Sequence, residues 1–218
     1  MRCACGRKFG ERYSYLNGNL TICEGDIENS DYVRNVVLDY KPEVIFHLAA
    51  QSFPKLSWKN PALTFQVNTI GTVNLLETII KLKFKPRIIS LSSSGVYNYT
   101  SSSEPIKEEY HLEPSSPYGV SKLLQEQLGK LYIKQYEMDI ISVRPFFIIG
   151  PRKTGDVCSH FARSIVNIER GHSLKINIGN LEIVRDFLDV RDSTEALYLI
   201  ANKGITGEIY NICSGRGY

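Results

Sequence analysis

Apolar and polar positions change period along this chain in a regular way. Val44-Ile45-Phe46-His47-Leu48 is a near-continuous apolar run, the pattern of a strand buried on both faces, and residues 87–91 and 139–144 are further short apolar strands. A weaker β-type run covers residues 20–23 and ends at Glu24-Gly25-Asp26-Ile27. Between these runs the spacing turns helical. Ser30-Asp31 is placed to cap a helix that turns Tyr32, Val33, Val36 and Val37 inward and stops before Lys41-Pro42. Asn60-Pro61 opens a long helix over residues 62–82, with Val67, Ile70, Val73, Leu76 and Ile79 in its stripe. Residues 116–136 read as another, with Pro117 in its first turn and Val120, Leu123, Leu124, Leu128 and Leu131 at helical spacing.

Strands and helices thus alternate, with short connections, over residues 20–144. That order predicts an α/β fold: a parallel sheet with helices on both faces. Ligands of such sheets sit at the carboxyl ends of the strands. Those ends are Asp26, Ala49-Ala50, Ser92-Ser93 and Pro145. Beyond Gly150 the texture changes. A helix over residues 159–169, a short strand over 175–178, a turn at Gly179-Asn180, an Asp192-capped helix to residue 201 and a strand over 208–212 are expected. Residues 1–150 then form one domain and 151–218 part of a second, interleaved with the last sheet strands.

Composition removes several function classes. Charged residues are 22% of the 218, net charge is +3, and no basic block with interleaved aromatics occurs, so there is no case for nucleic acid. No apolar run is long enough to span a bilayer, and residues 1–7 lack the apolar region of a secretory signal. Five scattered cysteines suit a reducing cytosol better than a disulfide framework. Cys3-x-Cys5 has no second Cys/His pair at ligand spacing, so no metal site is expected.

The candidate chemistry centres on Tyr118-x-x-x-Lys122. Residues four apart on a helix share a face, so phenol and ammonium point the same way. A nearby cation favours the phenolate, which equips a tyrosine to trade a proton near neutral pH. The alternative is a surface tyrosine beside a solvated lysine.

The rest of the chain weighs against that alternative. Gly25-Asp26-Ile27, His47-Leu48-Ala49-Ala50, Asn68-x-x-Gly71-Thr72-x-Asn74-Leu75-Leu76-Glu77, Ser92-Ser93-Ser94-Gly95-Val96-Tyr97, Tyr118-x-x-x-Lys122, Arg144-Pro145-Phe146 and Gly150-Pro151 occur in this order. Together they resemble the extended short-chain dehydrogenase/reductases that modify nucleotide sugars. The stretch Gly179-Asn180-Leu181-Glu182-x-x-Arg185-Asp186-Phe187-Leu188-Asp189-Val190, with Glu208-Ile209-Tyr210-Asn211-Ile212, looks most like the GDP-4-keto-6-deoxy-mannose reductases. GDP-mannose 4,6-dehydratases are close behind.

The resemblance implies a Rossmann-like domain and a set of roles. Tyr118 would exchange a proton with the sugar C4 oxygen, Lys122 would hold the nicotinamide ribose, and Ser93, with Ser94, would contact the sugar. Asp26 and Ile27 would take the adenine end, with Leu48, Ala49, Ala50, Asn68 and Pro145 lining the cofactor path. Arg185 would clamp the substrate diphosphate, a task for a forked guanidinium. For three of these the residues alone leave other readings. Arg185 could pair with Asp186 or Asp189, Asp26 could be a turn residue, and Asn68 could bond backbone only. The implied reaction is NAD(P)-dependent 4-keto reduction of a GDP-linked 4-keto-6-deoxy-hexose. Dehydration or 4-epimerisation of a nucleotide sugar is the same-fold alternative, and a non-catalytic nucleotide-binding module the alternative of another class. A homodimer packed through the two long helices is also implied.

Departures refine this expectation. Dehydratases of the family carry an acid two residues before the tyrosine of the serine motif; here that position is Gly95, which has no proton to trade. Phe147 stands where family members commonly have a sugar-contacting Asn. The family's opening strand and Gly-x-x-Gly-x-x-Gly turn have no counterpart, since Gly6 and Gly10 are wrongly spaced and residues 1–5 are similar to the end of the second strand. The first βα unit is therefore expected to be absent, the sheet open at its centre, and this exact chain unstable and poor at binding NAD(P). Gly6-Arg7-Lys8 follows that second strand with two cations, which tilts the cofactor, NAD or NADP, towards NADP.

Overall fold

Four parallel strands carry the molecule, and their order explains which chain segments meet. The computed structural model describes residues 21–97 and 105–218. In chain order the elements are α1 (Ser30–Tyr40), β1 (Val44–His47), α2 (Pro54–Lys59), α3 (Pro61–Phe65), a π-turn (Gln66–Ile70), α4 (Gly71–Leu82), β2 (Arg87–Leu91), a 3-10 turn (Ser94–Val96) and α5 (Pro117–Tyr136). They continue with β3 (Ile140–Pro145), β4 (Phe147–Ile149), α6 (Val157–Glu169), β5 (Phe187–Asp189), α7 (Val190–Lys203) and β6 (Ile209–Ile212). The main sheet runs β1-β2-β3-β6, with Val44 opposite Arg87, Ile88 opposite Ile140 and Ser142 opposite Ile209. A second, two-stranded parallel sheet pairs β4 with β5. This is the Rossmann-like arrangement expected.

Strand side chains alternate between faces, so β2 and β3 feed two separate cores. On one face Ile88 and Ile140 join Val33 and Val37 of α1 and Leu75, Leu76 and Ile79 of α4. On the other, Ile89, Ile141 and Val143 meet Ala201 of α7 and Ile212 of β6. Each fully buried isoleucine contributes about 1.5–3 kcal/mol over its exposed state. The sheet is thus covered on both faces, and α7 and β6, from beyond Gly150, complete it.

Several local expectations need correction. Residues 21–23 form no strand, and Leu20 lies outside the described residues. Residues 175–178 also form none; no neighbouring strand pairs with them among the described residues, and the Asn177 carbonyl bonds the His160 ring instead. Helix α1 is capped by the Asn29 side chain, which accepts from the Tyr32 amide, not by Ser30 or Asp31. Likewise α7 is capped by Asp189, three residues before Asp192. Strand β1 is not buried on both faces: Val44 and Phe46 are exposed, and among the described residues neither belongs to the core around α7. The long helix over 62–82 exists but is broken by the π-turn around Asn68.

Helix α5 buries its polar face. It begins at the expected place, with Ser116 accepting from the Gly119 amide as N-cap and Pro117 in the first turn. Its apolar stripe, however, faces out: Val120 and Leu124 are exposed and Leu131 is 62% exposed. The buried face is Gly119, Ser121, Lys122, Gln125, Glu126 and Gly129. The reason lies in the strands beneath. Below the helix, β2 and β3 present Ser90 and Arg144, and polar positions demand polar partners.

Candidate active site

The Ser93 turn and the first turn of α5 are held in contact by a glycine. A side chain on Gly119 would place its Cβ 2.4 Å from the Gly95 carbonyl oxygen and 2.9 Å from Pro114 Cβ, so only glycine permits this approach. The approach sets Tyr118 beside the serine turn. A Cβ built on Gly95 would lie 3.3 Å from Ser93 Oγ and 3.7 Å from Tyr118 Cε1. Position 95 therefore faces the ground shared by Ser93 and Tyr118. Ser93 Oγ accepts the Gly95 amide at 3.0 Å, which orients the hydroxyl and leaves its proton to donate elsewhere.

Lys122 is buried, 2% exposed, and donates from Nζ to the Leu91 carbonyl at 2.6 Å and to Gln125 Oε1 at 3.0 Å. Burial pushes its amine down to about 7, against a smaller upward pull from Glu126. His47, at the end of β1, bonds Thr72 Oγ1 at 2.9 Å. Burial, and then the Lys122 charge, push it down to about 3, so it is neutral across the physiological range.

The helix that runs from α3 through α4 gives each polar residue of the Asn68–Asn74 motif a separate task. The π-turn aims Asn68 inward, where its Oδ1 accepts the Gln51 amide at 2.7 Å and its Nδ2 donates to Gln51 O and Ser121 Oγ. Asn68 thus ties the end of β1 to α5, more than the backbone-only alternative allowed. Ser121 Oγ in turn donates to the Tyr118 carbonyl at 2.7 Å. Gly71 admits Ile27, whose Cγ2 would sit 2.7 Å from a Cβ there. Asn74 Nδ2 donates to the carbonyls of Ile27 and Glu28, pinning the turn that presents Asp26. Asp26 itself accepts the Glu28 amide, so it is a turn residue as well as a candidate ligand group.

The remaining candidates lie on other elements. Ala49 is buried, Ala50 half-buried and Leu48 exposed at the end of β1, while Pro145 closes β3 opposite Ile212. Ser94 opens the 3-10 turn. Arg185 belongs to the C-terminal part: its backbone pairs with Tyr218 in both directions, and its exposed side chain donates to the Val184 carbonyl. Of the two carboxylates considered for it, Asp189 pairs with Arg191 at 2.9 Å, and Asp186 accepts the Ser214 and Gly215 amides. Phe147 packs edge-on against Phe187 with Lys153 over its ring, an apolar use of that position. Among the described residues no cluster of His, Cys, Asp or Glu could hold a metal, and no helix is long and apolar enough to cross a membrane. Residues 1–8 and Gly10 lie outside the described residues.

One network escaped sequence reasoning. Arg144, 1% exposed, forms two bonds to the Glu126 carboxylate at 2.9 and 2.7 Å, and donates to Tyr97 Oη and the Glu108 carbonyl. Tyr97 passes its own proton to Asn211 Oδ1 at 2.7 Å, and Glu108 accepts the Asn211 amide. Burial opposes the Arg144 charge, but its bonds to Glu126 and Tyr97 outweigh that and hold it firmly protonated. The only signal was that Arg144, Tyr97 and Asn211 each stand in a motif; nothing in their spacing joins them.

Comparison with known proteins agrees with this architecture. The family model described as GDP-mannose 4,6 dehydratase matches residues 7–218. A GDP-6-deoxy-D-mannose reductase of Pseudomonas aeruginosa is 34% identical over 80% of this chain and 59% of its own length. A GDP-6-deoxy-D-talose 4-dehydrogenase of Aggregatibacter actinomycetemcomitans is 33% identical over 88% of this chain and 63% of its own. Among solved structures, RMD from Pseudomonas aeruginosa complexed with NADPH superposes with a TM-score of 0.87 at 30% identity, covering 95% of this chain and 74% of that one. UDP-glucose 4-epimerase of Thermotoga maritima gives 0.84 at 31%, covering 94% and 66%. The fold and the residues at its strand ends define a Rossmann-like protein of the epimerase, dehydratase and reductase type. The chain belongs to the GDP-mannose 4,6 dehydratase family. It spans about three-fifths of the length of the curated relatives it matches.

Proposed function

We propose that this chain carries the catalytic half of an NAD(P)-dependent nucleotide-sugar 4-keto reductase acting on a GDP-linked 4-keto-6-deoxy-hexose. The observation that carries the reading is the approach of Ser93 and Tyr118 at a position, Gly95, that offers no acid, with the Lys122 amine on the Leu91 carbonyl two residues before Ser93. Tyr118 delivers a proton to the C4 oxygen as that oxygen gains charge, and Ser93 donates a hydrogen bond to it. Lys122, in its ammonium form, favours the tyrosinate left behind. NAD(P)H, when bound, supplies the hydride to C4. Its donor set fits the strand ends: the Asp26 carboxylate for the adenine amine, Ile27 for its face, small Ala49 and Ala50 along Leu48 and Asn68, Pro145 at the end of β3, and Lys122 for the ribose hydroxyls. Residues 1–150 serve the cofactor, and residues 151–218 contribute Arg185, which with Ser94 contacts the substrate. The chain pairs with a second copy through the helices over residues 62–82 and 117–136, where Ile70 and the apolar stripe of α5 are exposed.

The names of the relatives support reduction and 4-dehydrogenation of GDP-6-deoxy sugars more directly than elimination of water. The second reading, dehydratase or epimerase, draws on the family model and on the UDP-glucose 4-epimerase relative of Mycolicibacterium smegmatis. One experiment separates them. The chain is incubated with GDP-4-keto-6-deoxy-mannose and either NADPH or NADH, and separately with GDP-mannose, following absorbance at the nicotinamide band and the sugar products. Stoichiometric consumption of reduced cofactor with the keto-sugar alone supports the reductase. Conversion of GDP-mannose without net consumption transfers the assignment to dehydratase or epimerase. Cofactor binding with no turnover of either sugar leaves a nucleotide-binding module.

A further inference from the structure

Two side chains of α5 stand within reach of the Lys122 amine, Gln125 one turn on and Glu126 beyond it. The carboxylate is the stronger acceptor, yet the lysine is held by the amide. Arg144 explains why: it occupies both Glu126 oxygens, at 2.9 and 2.7 Å. Gln125, 1% exposed, is itself anchored, its Nε2 donating to Ser90 Oγ at 2.8 Å while its Oε1 accepts from Lys122 at 3.0 Å. Ser90 is adjacent to Leu91, whose carbonyl accepts the other Lys122 bond. Gln125 and Lys122 therefore grip two consecutive residues at the end of β2.

We propose that Gln125 is a positioning residue that holds the Lys122 amine at the end of β2 with a neutral acceptor in place of a carboxylate. The inference rests on the role proposed for Lys122 above. The groups around the amine fit this design. The charged or titratable groups that act on it are His47 from β1 and Glu126 from its own helix, the latter held by Arg144 of β3. From β2 the Leu91 carbonyl accepts from it directly, and Ser90 holds the Gln125 amide that accepts its other bond. Neutral dipoles hold the nitrogen in place without locking its charge. Burial then brings its titration to about 7. A carboxylate at position 125 would keep the ammonium through the whole working range and remove that sensitivity.

The test reads the amine directly and needs no substrate. The full chain is labelled with 13C/15N-lysine, the Lys122 Cε signal is assigned by its loss in Lys122→Arg, and its midpoint is followed by NMR from pH 5 to 11. In the wild type a midpoint near neutrality is expected. Gln125→Glu, which keeps shape and the Ser90 neighbour, should raise it by about one to three pH units. Gln125→Met, which removes the acceptor, should lower it. Ser90→Ala, a milder change that frees the glutamine, should move it by a smaller amount and stands in should Gln125→Glu fail to fold. A wild-type midpoint near 10, or folded variants whose midpoints equal the wild type, overturns the proposal. A shifted midpoint in a chain that turns over no sugar would instead count against the reductase reading and leave the Gln125 assignment intact.

Discussion

Helices α5 and α6 show two opposite relations between side-chain polarity and burial. In α5 the buried residues are lysine, glutamine, glutamate, serine and glycine. In α6 an amphipathic sequence, with a capping box at Asp156 and Ser159, buries no residue at all, and Ile165, Val166 and Ile168 are exposed. The contrast extends to their surroundings. Around α5, hydrogen bonds tie Lys122, Gln125, Glu126 and Arg144 to fixed partners. Around α6, Leu174 is 98% exposed and Leu181, Ile183 and Val184 lie open. Buried polar groups with fixed partners are pre-organised and resist rearrangement. The catalytic candidates therefore sit where the chain is most tightly specified, and the Arg185 region where it is least.

Four perturbations test that contrast, in order of expected effect. Tyr118→Phe should cut turnover by about 10²–10⁴-fold while leaving the unfolding midpoint in urea unchanged, because it deletes a proton donor and little packing. Equal losses in activity and stability would show that the tyrosine is structural. Arg144→Met should cost about 3–5 kcal/mol in equilibrium unfolding, since it strands the Glu126 carboxylate and the Tyr97 hydroxyl in a dry interior. A loss under about 1 kcal/mol would mean that water reaches the pair. The third effect depends on pH. The folded state holds Lys122 near 7 and His47 near 3, against ordinary values of 10.5 and 6.5. The unfolded chain binds more protons in both windows, so stability should climb from pH 7 to 10.5 and decline as pH falls from 6.5 towards 3. Lys122→Met should flatten the upper climb and His47→Gln the lower decline, as read by thermal melts across pH. The smallest effect is expected at the open end: Leu174→Ser should change unfolding free energy by no more than about 0.5 kcal/mol.

Much of this was legible in the chain. The alternation of apolar runs and helical spacing led to a parallel sheet, and three of the four strand ends it named, Ala49-Ala50, Ser92-Ser93 and Pro145, do end or follow strands of that sheet. Ser116-Pro117 marked the start of α5 because capping and proline geometry are local. The stripe of Val120, Leu124 and Leu131 marked the helix but not its buried face, for a reason that is not local. Periodicity identifies two faces of a helix, but which one is buried depends on what lies beneath, and Ser90 and Arg144 lie beneath. Asn68 was readable as a motif residue, yet its π-turn was not, since one extra residue in a helical turn leaves the apolar spacing nearly unchanged. Arg144, Tyr97 and Asn211 stood in plain view without any sign that they bond.

What the sequence by itself determined is the succession of elements, the family and the identities of Ser93, Gly95, Tyr118 and Lys122, because those follow from propensity, capping and short motifs. Tertiary structure alone decided which polar groups are buried and with whom they pair. Tyr97 reaches Asn211 across 114 positions and Arg144 across 47. Lys122 meets Leu91 across 31. Contacts of that range arise when parallel strands bring distant segments to one sheet edge, and there burial and the partners it brings shift the charge that each group carries.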